Sequence, residues 1–197
     1  MEINNLIHLT SNKFANIIER NKIPSYYIEL AARSIEGILR AEKDFVRAES
    51  ASFNPAPMRI SQIIIDNFNI KDEDTISAAI LFHSYNQETK ELDQNTMKKI
   101  QTSELINSNA YKILFEAIQY SHEFKCNSKE AIIIFIASLI DRLRHSHLSN
   151  KTNLKDELYK IIFSIKDDIT ESDADINTEI KNLINNWLRR NGFDFLI

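Results

Sequence analysis

The stretch FNPAPMRISQIIIDNFNIKDEDTISAAILFHS, Phe53–Ser84, contains two successive helix patterns from which the fold can be predicted. Pro57 suits the first turn of a helix, where its missing N–H leaves no hydrogen bond unmade. The apolar residues after it recur at the three-and-four spacing of one buried helix face: Ile60, Ile63, Ile64 and Phe68. The acidic residues at 72–74 suit the start of the next helix, because carboxylates there complement the helix dipole. That second helix continues through ISAAILFHS.

The rest of the chain extends the helical pattern. Only two glycines and three prolines occur in 197 residues, whereas sheet proteins of this size usually need many glycine-rich turns. Asn, Ser and Asp interrupt the apolar patterns instead, and these residues make good N-caps. Loops are expected at 50–57 and 85–95. Helices are expected around Phe14 to Ile18, from Pro24 to near Arg47, around Met97 to Ile100 and Tyr111 to Tyr120, from Lys129 to Arg144 behind a Ser128 cap, and over Leu154 to Ile165 and Ile176 to Leu188. We therefore predict an all-α fold.

Composition and charge limit the possible functions. The chain is 43% hydrophobic and 26% charged, and its length suits one domain over residues 1–197. The net charge of -4 provides no global basic field, so we expect no DNA partner. The longest apolar run, AIIIFIASLI at 131–140, is too short to span a bilayer, and no secretory signal is visible at the N-terminus. We expect a cytoplasmic protein. A single cysteine, Cys126, cannot form an internal disulfide or a cysteine-based zinc site.

The candidate chemistry lies in dispersed histidines and carboxylates. The sequence has no glycine-rich phosphate loop, no G-x-S-x-G turn and no H-E-x-x-H zinc motif. The remaining candidates lie on predicted helices or at their ends: His8, His83, His122, Asp141, His145 and His147.

Three blocks of sequence, in order and spacing, resemble a known family. They are the loop with Phe53 and Pro57, the helix DEDTISAAILFH at 72–83, and the later segment LIDRLRHSHL at 139–148. Together they resemble the HD-domain metal-dependent phosphohydrolases, and specifically the (p)ppGpp hydrolase domain of RelA/SpoT-type enzymes. The resemblance covers about residues 30–150. It implies a single HD-type bundle of about eight to ten helices, onto which the helices of residues 151–197 pack.

The resemblance also indicates a degenerate metal site. The family binds one divalent ion, typically Mn²⁺, through the histidine of a His-Pro step, a His-Asp pair and a late aspartate. The corresponding positions here are Ala56, His83, Ser84 and Asp141, so only His83 and Asp141 keep a metal-ligating side chain. A hard divalent cation needs several oxygen or imidazole ligands, so two side chains are too few to bind it firmly. We therefore expect no cofactor, with His83 and Asp141 as vestigial ligands.

The resemblance places further site residues. The Glu-Asp pair that the family uses to position or activate water falls on Gln87 and Glu88, which have lost the first carboxylate. In the family, basic residues before the loop help to form the wall that meets the substrate phosphates, and Arg47 is the best placed of them here. Arg142, which follows the late aspartate as in the family, and His145 are the other candidate substrate-binding residues. A solvated helix face explains Arg47 equally well, and Arg142 could also simply face water.

Three classes of function remain open. The favoured one is a degenerate HD-domain protein with little or no hydrolase activity, which binds a guanine or other purine nucleotide or acts as a regulatory protein. The alternative is an active phosphohydrolase of (p)ppGpp or a related nucleotide. Its Mn²⁺ or other divalent metal would be held by His83, Asp141 and His145, because residues four apart share a helix face. His145 could instead line the pocket or cap the helix end. The third class is a helical interaction module with a protein partner, including a homodimer.

Overall fold

A computed structural model describes residues 12–38, 55–86, 89, 91–102, 107–123 and 128–144, together with residues 178, 182, 185, 186 and 189. Helices make up most of this part of the chain, with one short antiparallel ribbon, so the predicted all-α class is confirmed. The elements are α1 (Asn12–Arg20), α2 (Tyr26–Ser34), α3 (Ala56–Phe68), α4 (Glu73–Phe82), β1 (Tyr85–Asn86), β2 (Glu91–Leu92), α5 (Gln94–Thr102), α6 (Ser108–Glu123) and α7 (Lys129–Arg144).

Helix α4 is the centre of the described core. Every residue from Thr75 to Phe82 is buried, so the helix has no solvent-facing stripe. A helix that is apolar on all sides must be enclosed by other elements, and α4 packs against α2, α3, α6 and α7. Helix α7 packs in turn against α3 and α6. This arrangement brings the start of α3 and the last turns of α7 together beside the end of α4.

The carboxylates at the start of α4 connect neighbouring helices as well as complementing its dipole. All of them accept hydrogen bonds from backbone or side-chain amides. The bonds run from Thr75 N to Asp72 Oδ1 at 2.8 Å, from Tyr27 N to Glu73 Oε1 at 2.7 Å, from Asn109 Nδ2 to Asp74 Oδ2 at 2.8 Å, and from Asn107 Nδ2 to Asp74 Oδ1. The acidic run therefore caps α4 and attaches it to the starts of α2 and α6.

Side-chain caps of the predicted kind begin three more helices. Asp93 Oδ2 accepts from Thr96 N at 2.9 Å ahead of α5. Equivalent bonds at α6 and α7 run from Ala110 N to Asn107 Oδ1 at 2.9 Å and from Ala131 N to Ser128 Oγ at 3.2 Å. Each bond satisfies a backbone N–H that the first turn leaves without a helical partner. At these positions the prediction that Asn, Ser and Asp, instead of glycine, mark the helix boundaries is confirmed, and so is the Ser128 cap.

Two local predictions need correction. The helix expected from Pro24 to near Arg47 is interrupted, because α2 ends at Ser34 and Ile35 forms a turn before residues 36–38 become helical again. The loop expected at 85–95 contains the ribbon, in which Tyr85 pairs with Leu92 and Asn86 with Glu91. Tyr85 and Leu92 are buried and their neighbours are exposed, so the ribbon places one apolar face against the core.

The predicted C-terminal helices lie largely outside the described residues. Leu154 to Ile165 is wholly outside. Within the predicted helix from Ile176 to Leu188 the described positions are helical, and a further helical position follows at 189. The described side chains here are all polar and share one face at helical spacing: Thr178, Asn182, Asn185, Asn186 and Arg189. Among the helices of the described ranges, none is both long and apolar enough to cross a membrane.

The Asp72→Ala variant tests the cap of the central helix. Loss of the carboxylate leaves Thr75 N without its acceptor, so the free energy of unfolding should fall by about 1 kcal/mol. Urea denaturation followed by circular dichroism measures the change. Asp66→Ala is the control. Asp66 is exposed on α3, and its carboxylate accepts a hydrogen bond from the side chain of Gln62 in the same helix, so it caps no helix start. Equal losses in the two variants would contradict the capping role.

Candidate functional site

A cleft of about 500 Å³ opens between α3, α7 and the segment that follows α4. Its size is in the range of small-molecule sites, which are usually clefts of about 300–1,000 Å³. Apolar side chains form part of the wall, and polar and charged side chains form the rest. The lining residues are Ala56, Ile60, Phe82, His83, Ser84, Tyr85, Asn86, Ser138, Asp141 and Arg142.

The fold brings most of the predicted site residues together. Ala56, His83, Ser84, Asp141 and Arg142 all line this one cleft, although they come from three separate blocks of the sequence. The other predicted site residues lie outside the described residues, and the structure gives no geometry for them: Arg47, Gln87, Glu88 and His145. The rebuilt metal site with His145 therefore stays a prediction.

Asp141 is held by an arginine that the sequence interpretation missed. Arg59 Nε donates to Asp141 Oδ1 and Arg59 Nη2 donates to Oδ2, both at 2.8 Å. The carboxylate is buried, with 5% of its side chain exposed, whereas the Arg59 side chain is 22% exposed. A two-pronged guanidinium–carboxylate pair of this kind fixes both distance and orientation. The pair links α3 to α7 beside the cleft.

The position of Arg59 follows from helical spacing. Arg59 lies three residues after Ala56 at the start of α3, so the two side chains share a helix face. Ala56 lines the cleft and contributes only a methyl group to it. The available signal was a basic residue one turn after Ala56, the position that the resemblance aligns with a metal ligand of the family. It was inconclusive in the sequence alone, because a basic residue near a helix start more often faces solvent.

Ser84 already uses its hydroxyl proton within the fold. Its Oγ donates to Leu81 O at 2.6 Å, and the residue is buried. Leu81 O belongs to the last turn of α4, where carbonyl groups lack helical partners. Ser84 therefore helps to end the central helix. Its oxygen retains lone pairs toward the cleft but no charge to offset that of a cation.

These side chains do not fit a divalent metal. Ala56 has no donor atom, Ser84 is neutral, and both oxygens of Asp141 accept from a guanidinium. A cation bound to Asp141 would lie beside the positive charge of Arg59 and would have to displace it. Within the described ranges, no group of three or more His, Cys, Asp or Glu side chains is arranged to hold a metal ion.

Tyr85 forms the wall at the far side of the cleft. Its ring stacks on Phe82 with centroids 6.0 Å apart and meets the His122 ring edge-on at 5.5 Å. The Tyr85 hydroxyl is also hydrogen-bonded to His122 Nε2. Burial raises the pKa of Tyr85 above its usual value, and a hydrogen bond with Ser121 opposes that shift. The hydroxyl is therefore neutral at physiological pH, and the ring is fixed from two sides.

His83 and Arg142 complete the polar part of the cleft. His83 follows the last residue of α4 and is half-buried, and its backbone N–H donates to Ile80 O at 3.3 Å. Arg142 follows Asp141 in α7 and is also half-buried. Among the described lining residues, Arg142 supplies a guanidinium group and Asp141 a carboxylate, and the charge of that carboxylate is offset by Arg59, which does not itself line the cleft. The arrangement therefore favours an anionic or hydrogen-bond-accepting ligand.

Comparison with protein-family models, curated proteins and solved structures gives no match. Function is therefore inferred from the resemblance of the three sequence blocks and from the geometry of the cleft. The blocks supply the positions at which the HD-type family binds its metal. The geometry shows what this chain has at those positions.

The Arg59→Met variant tests whether the ion pair stabilises the fold. Removal of the guanidinium leaves the buried Asp141 carboxylate without this partner, so the free energy of unfolding should fall by about 3 kcal/mol. In the Arg59→Met/Asp141→Leu variant most of that loss should be recovered, because the buried carboxylate that needs the guanidinium is removed with it. Urea denaturation of the single and double variants measures the free energy of interaction between Arg59 and Asp141.

Arg33→Met is the matched control for this experiment. Arg33 pairs with Glu29 at 3.8 Å on α2, and 34% of the Arg33 side chain is exposed. Loss of such an exposed pair should cost about 0.5 kcal/mol or less. Equal losses from Arg33→Met and Arg59→Met, or no recovery in the double variant, would contradict a strong pair at Asp141.

Proposed function

We propose that the protein is a degenerate HD-domain protein that binds a purine nucleotide without metal-dependent hydrolysis. The observation that carries the proposal is the Arg59–Asp141 pair, in which a guanidinium takes both oxygens of the carboxylate that corresponds to the family's late metal ligand. The positive charge that a divalent ion would supply to Asp141 then comes from a side chain of the protein itself.

The other ligand positions support this proposal. In the resemblance to the HD family, Ala56 replaces a histidine and Ser84 replaces an aspartate. Ala56 and Arg59 lie on the same face of α3, so the lost ligand and the new cation occur within one helical turn. The Ser84 hydroxyl is committed to Leu81 O. These changes are mutually consistent, because each removes a metal ligand or satisfies a group that the metal would have satisfied.

A guanidinium cannot perform the chemistry of the metal. A hydrolytic metal ion lowers the pKa of a bound water and so generates hydroxide near neutral pH. Arginine has no site at which water can coordinate, and it stays protonated at all physiological pH values. Arg59 can therefore stabilise Asp141, but it cannot generate the nucleophile. The proposed outcome is binding with little or no turnover.

The remaining side chains of the cleft suit a nucleotide. Phe82 and Tyr85 offer apolar and aromatic surface to a base, and Asn86 can donate and accept hydrogen bonds. Arg142 supplies a guanidinium group, which matches phosphate geometry better than lysine does. The cleft volume of about 500 Å³ accommodates a ligand of this size. In the pose that these side chains favour, the base packs against Phe82 and Tyr85, and the phosphates lie toward Arg142 on α7.

Calorimetric titration with GTP, ATP and ppGpp tests this function. We expect at least one of them to bind the unmodified protein with no added metal. Arg142→Ala should weaken that binding by about tenfold or more, because a charge-assisted bond to phosphate is lost. Arg33→Ala is the control, since Arg33 lies on α2 and pairs with Glu29. Absence of binding by every nucleotide would contradict the proposal and favour an interaction module.

The same samples, incubated with Mn²⁺ and analysed by chromatography, report on turnover. We expect the nucleotide to be recovered intact. Robust hydrolysis that depends on Mn²⁺ and is abolished by His83→Ala would contradict the loss of the metal reaction. It would support an active phosphohydrolase with a rearranged site.

Restoration of the ligand set tests the assignment of Arg59. In the Ala56→His/Arg59→Ala/Ser84→Asp variant, two ligands return and the competing guanidinium is absent. We expect Mn²⁺ to raise the melting temperature of this variant, because an ion that binds only the native state stabilises it. The unmodified protein should show no such shift. Circular dichroism checks that the variant is folded, and addition of Asp141→Asn should abolish the effect. An equal Mn²⁺ shift in the unmodified protein would contradict the assignment.

A further inference from the structure

A second cleft, also of about 500 Å³, adjoins the first at Tyr85. Tyr85 is the one residue that lines both clefts among those described. The second cleft is formed by the ribbon strand β2 and by helices α5 and α6. Its lining residues are Tyr85, Glu91, Leu92, Gln94, Met97, Lys98, Phe115 and Ile118.

The interior of the second cleft is apolar and contains no charged group among the described side chains. Leu92 and Tyr85 are buried, and Met97, Phe115 and Ile118 are half-buried against the main core. A thioether beside aromatic rings gives an adaptable, polarizable surface on which flat molecules pack well. Phe115 is supported from outside by Tyr111, whose ring centroid lies 4.5 Å away.

The polar residues that line this cleft are solvent-exposed and form its rim. Gln94 and Lys98 lie one turn apart on α5, and Glu91 lies on the ribbon; all three are exposed. Because Glu91 and Lys98 carry opposite charges, the rim has no net charge. It can orient a hydrogen-bonding group at one end of a ligand without selecting an anion or a cation.

We propose that the second cleft binds a small, uncharged aromatic molecule that carries a hydrogen-bonding group at one end. The flat part packs between Met97, Phe115 and Ile118, and the polar end faces Gln94 on the rim. A mostly apolar interior with a few polar groups at one side is the usual form of a small-molecule site. This inference is independent of the proposed nucleotide function, since none of these three apolar residues lines the first cleft.

The Tyr85 wall separates the two sites. The ring is fixed by Phe82 on one side and by the hydrogen bond to His122, so a ligand in the second cleft packs against a preformed surface. A preformed surface lowers the ordering cost of binding. The nucleotide of the first cleft and the aromatic ligand of the second should therefore bind at the same time.

Fluorescence titration with prodan, an uncharged naphthalene that carries a ketone, tests the site directly. We expect a blue-shifted emission that saturates at about one prodan molecule per chain and persists when GTP, ATP or ppGpp is added. Ile118→Trp should weaken prodan binding by about tenfold or more, because the larger ring fills the cleft. Tyr26→Trp is the matched control, since Tyr26 is 61% exposed on α2 and does not line either cleft. It should bind prodan as the unmodified protein does.

Three outcomes would overturn the inference. They are the absence of saturable prodan binding to the folded protein, equal binding by Ile118→Trp, and tighter binding at this cleft of anilinonaphthalene sulfonate, an anionic naphthalene of similar size. If Ile118→Trp fails to fold by circular dichroism, Met97→Gln serves as the second variant. It keeps the length of the side chain and makes the interior polar, so prodan affinity should again fall by about tenfold.

Discussion

The buried carboxylate of Asp141 imposes the constraint on which the site depends. An ionised group removed from water must be paired and hydrogen-bonded, or the folded state pays heavily for its burial. Arg59 meets this requirement with two bonds of 2.8 Å from α3 to α7. The pair fixes the spacing of the two helices at the cleft and commits the oxygens of Asp141. Any ligand of the cleft must therefore bind beside this pair or break it.

The central helix α4 explains why these groups meet. Its burial on all sides sets α3 and α7 against it, and its C-terminal end presents His83 and Ser84 to the cleft. The carboxylates at its start join it to α2 and α6 through hydrogen bonds. Tyr85 then leads into the ribbon and forms the wall between the two clefts. Helix α4 therefore positions both the helices packed around it and the residues that line the cleft at its C-terminal end.

The elements that depend on local pattern could be predicted from the sequence. The apolar spacing predicted α3, α4 and α7. Ser128 was recognised as the cap of α7, and its Oγ accepts a hydrogen bond from Ala131 N three residues later. The common cleft of Ala56, His83 and Asp141 followed only from the resemblance, because no periodicity joins residues so far apart.

The partner of Asp141 could not be predicted in this way. Arg59 lies 82 positions from Asp141, and its direction depends on how α3 packs against α7. The bonds from Tyr27 to Glu73 and from Asn109 to Asp74 were missed for the same reason, since they join helices that are distant in sequence. The break of α2 at Ile35 and the ribbon after α4 were missed because tertiary packing overrode weak local preferences.

A crystal structure determined after soaking in excess Mn²⁺, with anomalous data that locate manganese, tests the central claim most directly. We expect Arg59 to remain bonded to both oxygens of Asp141, with no anomalous peak between His83 and Asp141. A manganese peak coordinated by those two side chains, with the Arg59 guanidinium displaced from the carboxylate, would contradict it.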